Sequence, residues 1–564
     1  MRFLDSGQKL LWALLGIWLA VNLLQAGLTE LDPDEAYYWM YSHALDWGYF
    51  DHPPAVALLI RLGTAFAPGT LGIRIGFALL QLGCFYFVWL LAGRPSQKKE
   101  VLTFVGLLAA MPLLEVYGFI ATPDGPLLFF TALFFWLYQR FLDRKGRWVE
   151  ALLLGAGMAA LLYSKYHGVL LIFFILLSNL KLLRRPGFYL ASIFGFLLFL
   201  PHLYWQYAHG FPSFLYHLKG RDDAYELKFT ITYVLNQMVI FSPLLFPFLV
   251  QALRQRPVEG ALGRAFYFVI YGFWAFFFYA SFKGHVEPQW TAILSIPFVL
   301  LLYRQSQISE RFGRMVRILS AITIFLILLA RLELAFNWAG TKTEFNRRQW
   351  VYELQALAEG KPVLFQNSYR DASKFQFYAH QPAYTYTDVD YRHNQFDIWD
   401  WEKALHNQTV LIGGRLSWQC EKCREVGLTR KDFKIQMVDS LQIAQKVGIE
   451  LRNGIGGPWR PGEQVSLPVL LSNPYPHDIR FGTGTLPLHL SAVFYQDAVA
   501  RSTPSAQFLK ANTLLMAGDS LALELQFTVP DSLAGPYEFG LGVCWGDLPP
   551  LLNSKLVEVE VAGK

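Results

Sequence analysis

LDPDEAYYWMYSHALDWGYFDHPP, from Leu31 to Pro54, holds five acidic residues, two histidines and seven aromatics in one connection between apolar runs. The acids are Asp32, Asp34, Glu35, Asp46 and Asp51. Before it, residues 9–28 are apolar; after it come PPAVALLIRLGTAFA (53–67) and a second long apolar run, 70–92. A bilayer crossing needs about 20 mostly apolar residues, so 9–28 and 70–92 read as spans. No signal-peptide cleavage site follows the first run, which therefore reads as retained. The stretch 53–67 is shorter, carries Arg61, and reads as a helix lying at the interface. The acidic loop thus sits at a membrane surface.

The same criterion gives nine further spans: 100–118, 122–139, 148–164, 167–181, 187–205, 229–253, 265–282, 288–303 and 315–332. Composition agrees, with 54% hydrophobic residues and 16% charged, well below the ~25% usual in soluble domains. With the N-terminus in the cytoplasm, the inner loops carry seventeen Lys and Arg and the outer loops six, as the positive-inside rule requires. The net charge of +6 is explained by those loops and needs no nucleic-acid partner. Eleven spans place residues 333–564 outside the cytoplasm.

That topology gathers polar residues from distant loops on one face. Asp124 lies in IATPDGP, Lys165 and His167 in YSKYHG, His217 and Arg221 in FLYHLKGRDD, His285 and Glu287 in FKGHVEPQW. Ionisable side chains cost about 2.5–3.5 kcal/mol each at a span centre; a shared polar cavity at the outer surface accounts for them together. Within the acidic loop, Tyr and Trp suit an interfacial belt. Asp34 and Glu35 follow Pro33, where a helix begins and acids are favoured. Asp51 precedes His52-Pro53-Pro54, a rigid turn.

DPDEAYYW, YFDHPP, ATPDGPLL opening a span, SKYHG at a span end, and the tail segment NSYRDASKFQFYAHQPAYTY occur in this order. In this set the chain resembles the polytopic GT-C glycosyltransferases, the branch of protein O-mannosyltransferases and lipid A aminoarabinose transferases, over roughly residues 1–440. The resemblance implies a bacterial inner-membrane enzyme that takes a sugar from a polyprenyl phosphate and transfers it, with inversion, to an extracytoplasmic acceptor: lipid A, a protein hydroxyl or a polysaccharide. It implies Asp34 as the base. Glu35 holds the geometry or contacts the acceptor. Asp51 matches an acid that, with a histidine of a later loop (here His217), holds a divalent metal such as Zn, Mg or Mn. His52 stands where that branch has lysine. Lys165 matches a lysine on the donor phosphate; Arg221 is a further cation for it or ordinary loop charge, and Lys219 reads better as loop charge. Asp124 caps its helix or orients Lys165, while His285 and Glu287 fall where donor-binding groups are expected. The competing class is a transporter or flippase of a lipid-linked glycan, which calls for repeated halves and broken midplane helices; no internal repeat is visible. A silent receptor would tolerate loss of Asp34.

The tail divides by pattern into 333–438 and 439–564. KPVLFQNSY reads as a strand, DASKFQFYAHQ as a helix and TVLIGG as a strand, an α/β module. From about 440, short β-rich runs with turn signals predict an antiparallel sandwich of immunoglobulin-like kind. Of Cys84, Cys420, Cys423 and Cys544, the CxxC at 420–423 predicts a disulfide on the oxidising side. One CxxC is too little for a structural zinc site.

Overall fold

The computed structural model describes residues 5–219, 225–452, 454–496, 499–506 and 512–563. The chain forms two compact units, Met1–Asn346 and Arg347–Lys564.

The first unit is helical: α1 (Ser6–Leu28), α2 (Pro33–Tyr41), α3 (Ala55–Thr64), α4 (Gly69–Leu91), α5 (Lys98–Ala109), α6 (Pro112–Val116), α7 (Asp124–Asp143), α8 (Trp148–Ser164), α9 (Gly168–Ser178), α10 (Pro186–Ala208), α11 (Pro212–Lys219), α12 (Leu227–Ile240), α13 (Phe246–Gln255), α14 (Gly260–Ala280), α15 (Ser295–Ile308) and α16 (Glu310–Phe336). Six of them, α1, α4, α7, α10, α14 and α16, are long and apolar enough to cross a membrane. The chain is therefore a multi-pass membrane protein. The other apolar runs fall on shorter pieces. The run 100–118 breaks between Ala109 and Pro112, because proline cannot continue the preceding turn. The run 229–253 breaks around Ser242, whose φ is 66°. The helix expected over 53–67 is α3, ten residues long and so only about 15 Å at 1.5 Å per residue.

Small residues let helices approach where the outer connections must be held. At Gly155 of α8 a Cβ would lie 2.4 Å from the Ala191 carbonyl of α10, and at Gly195 one would lie 2.8 Å from the Gly155 carbonyl. This close crossing, of the kind small residues permit in membranes, fixes α10 beside α8. The end of α8 carries the chain into Lys165, and the end of α10 carries His202, Trp205 and Gln206.

The second unit begins with α17 (Gln349–Ala358) and a mixed sheet of β1 (Val363–Gln366), β2 (Ala383–Tyr386), β3 (Val410–Gly414), β4 (Arg424–Leu428) and β5 (Lys431–Val438), in the order β2-β1-β3-β5-β4. β1 pairs in parallel with β2 and β3, and α18 (Tyr369–Ala379) makes the β1-to-β2 crossover. The β-rich remainder comprises β6 (Gly448–Leu451), β7 (Gln464–Ser472), β8 (Ile479–Arg480), β9 (Leu488–Gln496), β10 (Val499–Ser502), β11 (Ser505–Ala506), β12 (Leu514–Leu515), β13 (Ser520–Thr528), β14 (Gly535–Trp545) and β15 (Val557–Val561). One sheet runs β10-β9-β14-β15 and another β13-β7-β6. Alternation along β7 turns Val465, Leu467, Val469 and Leu471 inward, the two-residue period of a half-buried strand. Phe494 and Phe539 of the first sheet meet Phe527 of the second, with Trp459 between them. Cys420 and Cys423 form a disulfide.

Candidate functional site

The acidic loop is anchored by one of its own acids. Asp32 caps α2, accepting from Asp34 N at 2.9 Å, while Glu35 Oε2 accepts from Asp32 N at 3.0 Å. Glu35 points inward and is fully buried. Its carboxylate takes Arg74 Nε at 2.7 Å, Arg74 Nη2 at 2.5 Å and the Ala121 N–H at 2.7 Å. Arg74 also donates to the carbonyls of Ala26, Thr29 and Glu30 at 2.8–3.0 Å. A guanidinium has five N–H donors, and all five are used. The clamp ties the end of α1, the start of α2, α4 and the connection before α7. Glu35 thereby fixes the geometry at the start of α2. Asp34, its neighbour in the first turn of α2, remains half-buried.

Further along, Asp51 is buried and accepts from Tyr41 OH at 2.5 Å. Burial, the Asp51 carboxylate and Tyr37 push the Tyr41 hydroxyl well above its usual range, so it stays a donor. His217 on α11 places Nε2 3.3 Å from the Asp51 carbonyl. The loop is pinned to α10: Trp205 Nε1 donates to Asp46 at 2.8 Å, and His202 Nδ1 lies 2.7 Å from the Trp47 carbonyl. A Cβ on Gly48 would sit 2.5 Å from the Trp205 ring, so the loop passes α10 at a distance only glycine allows. Gln206 joins Tyr166 OH to Ser213 Oγ, which donates to the Tyr49 carbonyl.

Between these elements lies a cavity of about 380 Å³, lined by His52, Lys165, Tyr166, His167, His217, Lys283, His285 and Trp290 among others. Among the described residues its basic lining is two lysines and four histidines, and no carboxylate lines it. Tyr38 of α2 packs edge-on against His52, ring centroids 5.4 Å apart, so α2 borders this space. Lys165 is buried and spans both oxygens of Asp124 at 2.8 and 2.9 Å. Asp124 takes two of the three ammonium N–H groups and fixes where the charge stands. His285 Nε2 lies 3.9 Å from Glu287, both groups being exposed. A second cleft of about 570 Å³ is apolar, lined by Leu45, Trp47, Leu58, Leu59, Phe130 and Tyr163, with Asp46 at its edge.

The structure thus brings His52, Lys165, His217 and His285 to one cavity and sets Asp124 behind Lys165. Arg221 lies outside the described residues, and Lys219 is described only in its backbone. Lys283, one of the six outer-loop cations of the expected topology, also lines the cavity. Arg74 was missed altogether. Its signal was present: an arginine inside the apolar run GTLGIRIGF, where an ionisable residue is expensive and needs a partner. Arg331 and Glu115 carry the same signal and pair at 2.6 Å. Among the described residues no group of three or more His, Cys, Asp or Glu is arranged to hold a metal.

The pattern of the dolichyl-phosphate-mannose-protein mannosyltransferase family matches residues 51–205, about a quarter of the chain. Among solved structures, ArnT from Cupriavidus metallidurans in the apo state superposes with a TM-score of 0.59 at 13% identity, covering 76% of this chain and 98% of that one. The same protein bound to undecaprenyl phosphate gives 0.57 at 14% identity, with the same coverage. No curated protein sequence matches the chain. The chain therefore shares the fold of ArnT, a polytopic helical region followed by a second unit.

Proposed function

We propose that the protein is a membrane glycosyltransferase that moves a sugar from a polyprenyl-phosphate carrier to an acceptor on the extracytoplasmic face, by inverting transfer. The observation that carries this reading is the cavity whose charged lining, among the described residues, is lysine and histidine, bordered by the helix that bears Asp34. Such a lining suits a phosphate that gains charge as it departs. The apolar cleft beside Asp46 suits a lipid chain. The family pattern and the fold shared with a protein crystallised with undecaprenyl phosphate support the same donor class. Eleven crossings, with the shorter helices completing the six long ones, and a two-layer sandwich in the tail belong to this proposal. So does the placement of the second unit outside the cytoplasm of a bacterial inner membrane.

In the reaction the acceptor oxygen attacks the anomeric carbon from the face opposite the phosphate. The carbon–oxygen bond to phosphate breaks with its electron pair. Asp34 takes the acceptor proton, a contribution of about 10²–10⁴-fold for a positioned base. Lys165, held by Asp124, and Lys283 meet the leaving phosphate; His52, His217 and His285 hydrogen-bond to it. Among the described residues, Asp51 and His217 are the protein donors a divalent metal would find here, fewer than the three or four usual for zinc. A bound ion would add positive charge at the phosphate. Glu287 lies by His285 and would orient that imidazole.

The test is incubation of the purified chain with a panel of polyprenyl-phosphate sugars and lipid, protein and glycan acceptors, with and without divalent metal. Release of polyprenyl phosphate with inverted anomeric configuration in the product is expected. Transbilayer movement of an intact lipid-linked sugar without bond cleavage would replace this reading with a transporter.

A further inference from the structure

The second unit holds a polar pocket that transfer in the first unit does not use. We propose that it is a carbohydrate-binding site that takes a single sugar ring. Its position follows from topology. Gln366 ends β1 and Asn367 follows; Arg415 follows Gly414, the last residue of β3. Beyond Tyr386, the end of β2, the chain brings Asp390 and Tyr391 alongside. These are the carboxyl ends of the parallel strands, where open α/β sheets bind their ligands. The pocket measures about 240 Å³, the space of about eight waters at about 30 Å³ each. That is smaller than the ~300 Å³ lower bound of drug-sized sites, and suits one ring.

The lining matches sugar chemistry. The carboxylate of Asp388 is buried and accepts from Gln366 Nε2 and from Asn367 Nδ2, each at 2.6 Å; Asp388 N in turn donates to Asn367 Oδ1 at 3.0 Å. Both amides are therefore held in one orientation before any ligand arrives, which lowers the ordering cost of binding. Each amide nitrogen has a second N–H for a ring hydroxyl. The Asp390 carboxylate and the Arg415 guanidinium supply an acceptor and a donor fork. Tyr391 supplies an apolar face for ring C–H groups, and Trp418, 3% exposed, walls the pocket. The indole is built into place: it lies over Gly414, where a Cβ would come within 2.6 Å of it, and Lys434 Nζ donates to the Trp418 carbonyl at 3.1 Å. The Cys420–Cys423 disulfide closes the next turn.

Phosphate is a poorer fit. The N-terminus of α18 lies next to Asn367, but its Asp371 N–H already donates to Ser368 Oγ. Asp371 also stands in its first turn, where an added anion meets like charge.

The experiment is calorimetric or saturation-transfer NMR titration of the full chain in nanodiscs with methyl hexosides and methyl pentosides, neutral and amino-substituted. Repeating it in Asp34→Asn keeps turnover out of the reading. Saturable binding of at least one glycoside, with Kd below about 10 mM, is expected. Arg415→Ala and Tyr391→Ala, both at exposed positions, should weaken it at least about tenfold without changing the melting temperature. Absence of saturable binding overturns the proposal. So does binding that both variants leave intact and Lys165→Met removes, since the ring then sits in the first unit.

Discussion

Glu35–Arg74 and the basic cavity are both charge clusters in the first unit, and they are built in opposite ways. At the clamp every guanidinium N–H has a partner and neither side chain is exposed. At the cavity, cations line a void, and His285 is nearly half exposed. The clamp spends its charge on the chain's own carbonyls and so fixes loop geometry. The cavity leaves charge facing space that a ligand can enter. Desolvating charge is costly in both places, yet only the second has capacity left for binding.

The difference is open to direct attack. Arg74→Met should have the largest effect, leaving Glu35 buried and unpaired at a cost of about 3–5 kcal/mol, read as a large drop in thermal stability or loss of folded protein. Lys165→Met leaves Asp124 unpaired at the edge of the cavity, a cost of about 1–3 kcal/mol. Adding Asp124→Asn should restore the melting temperature but not the affinity for polyprenyl phosphate, because only the charge facing the ligand is still missing. Lys283→Ala, at the cavity wall, should leave melting unchanged and raise the Kd for polyprenyl phosphate about tenfold, equivalent to about 1.4 kcal/mol.

The smallest effect concerns the second unit. His406 and His477 stack with ring centroids 3.5 Å apart, and His406 Nδ1 accepts from the Ile443 N–H. Burial and the neighbouring His477, against the opposing pull of Asp478, bring His406 down to about 4. The imidazole is thus neutral when folded and takes up a proton on unfolding below its ordinary value of 6.5. Its contribution to stability is complete above about pH 6.5 and is lost as the pH falls toward 4. His406→Phe should flatten the pH dependence of melting in that window.

Much of this was legible in the sequence because it rests on local pattern. Apolar runs gave the long helices, Pro33 after Asp32 gave the start of α2, and KPVLFQNSY, DASKFQFYAHQ and TVLIGG appear as β1, α18 and β3. The CxxC disulfide is present. The sequence left open whether Glu35 holds the geometry or contacts the acceptor, since its buried partner, Arg74, lies 39 residues away. The breaks at Pro112 and Ser242 were hidden by hydropathy averaged over a run. The polar pocket of the second unit was invisible for the same reason as the clamp: Gln366, Asp390 and Arg415 converge only once the parallel strands are side by side.

The adjacent acids of α2 offer the sharpest single measurement: melting temperature and transfer rate of Asp34→Asn and Glu35→Gln, side by side. Asp34→Asn should melt with the wild type and lose turnover by about 10²–10⁴-fold. Glu35→Gln should melt lower and lose turnover only as folded protein is lost. A stable, inactive Glu35→Gln beside an active Asp34→Asn would reverse the two roles and contradict the assignment of Asp34 as the base.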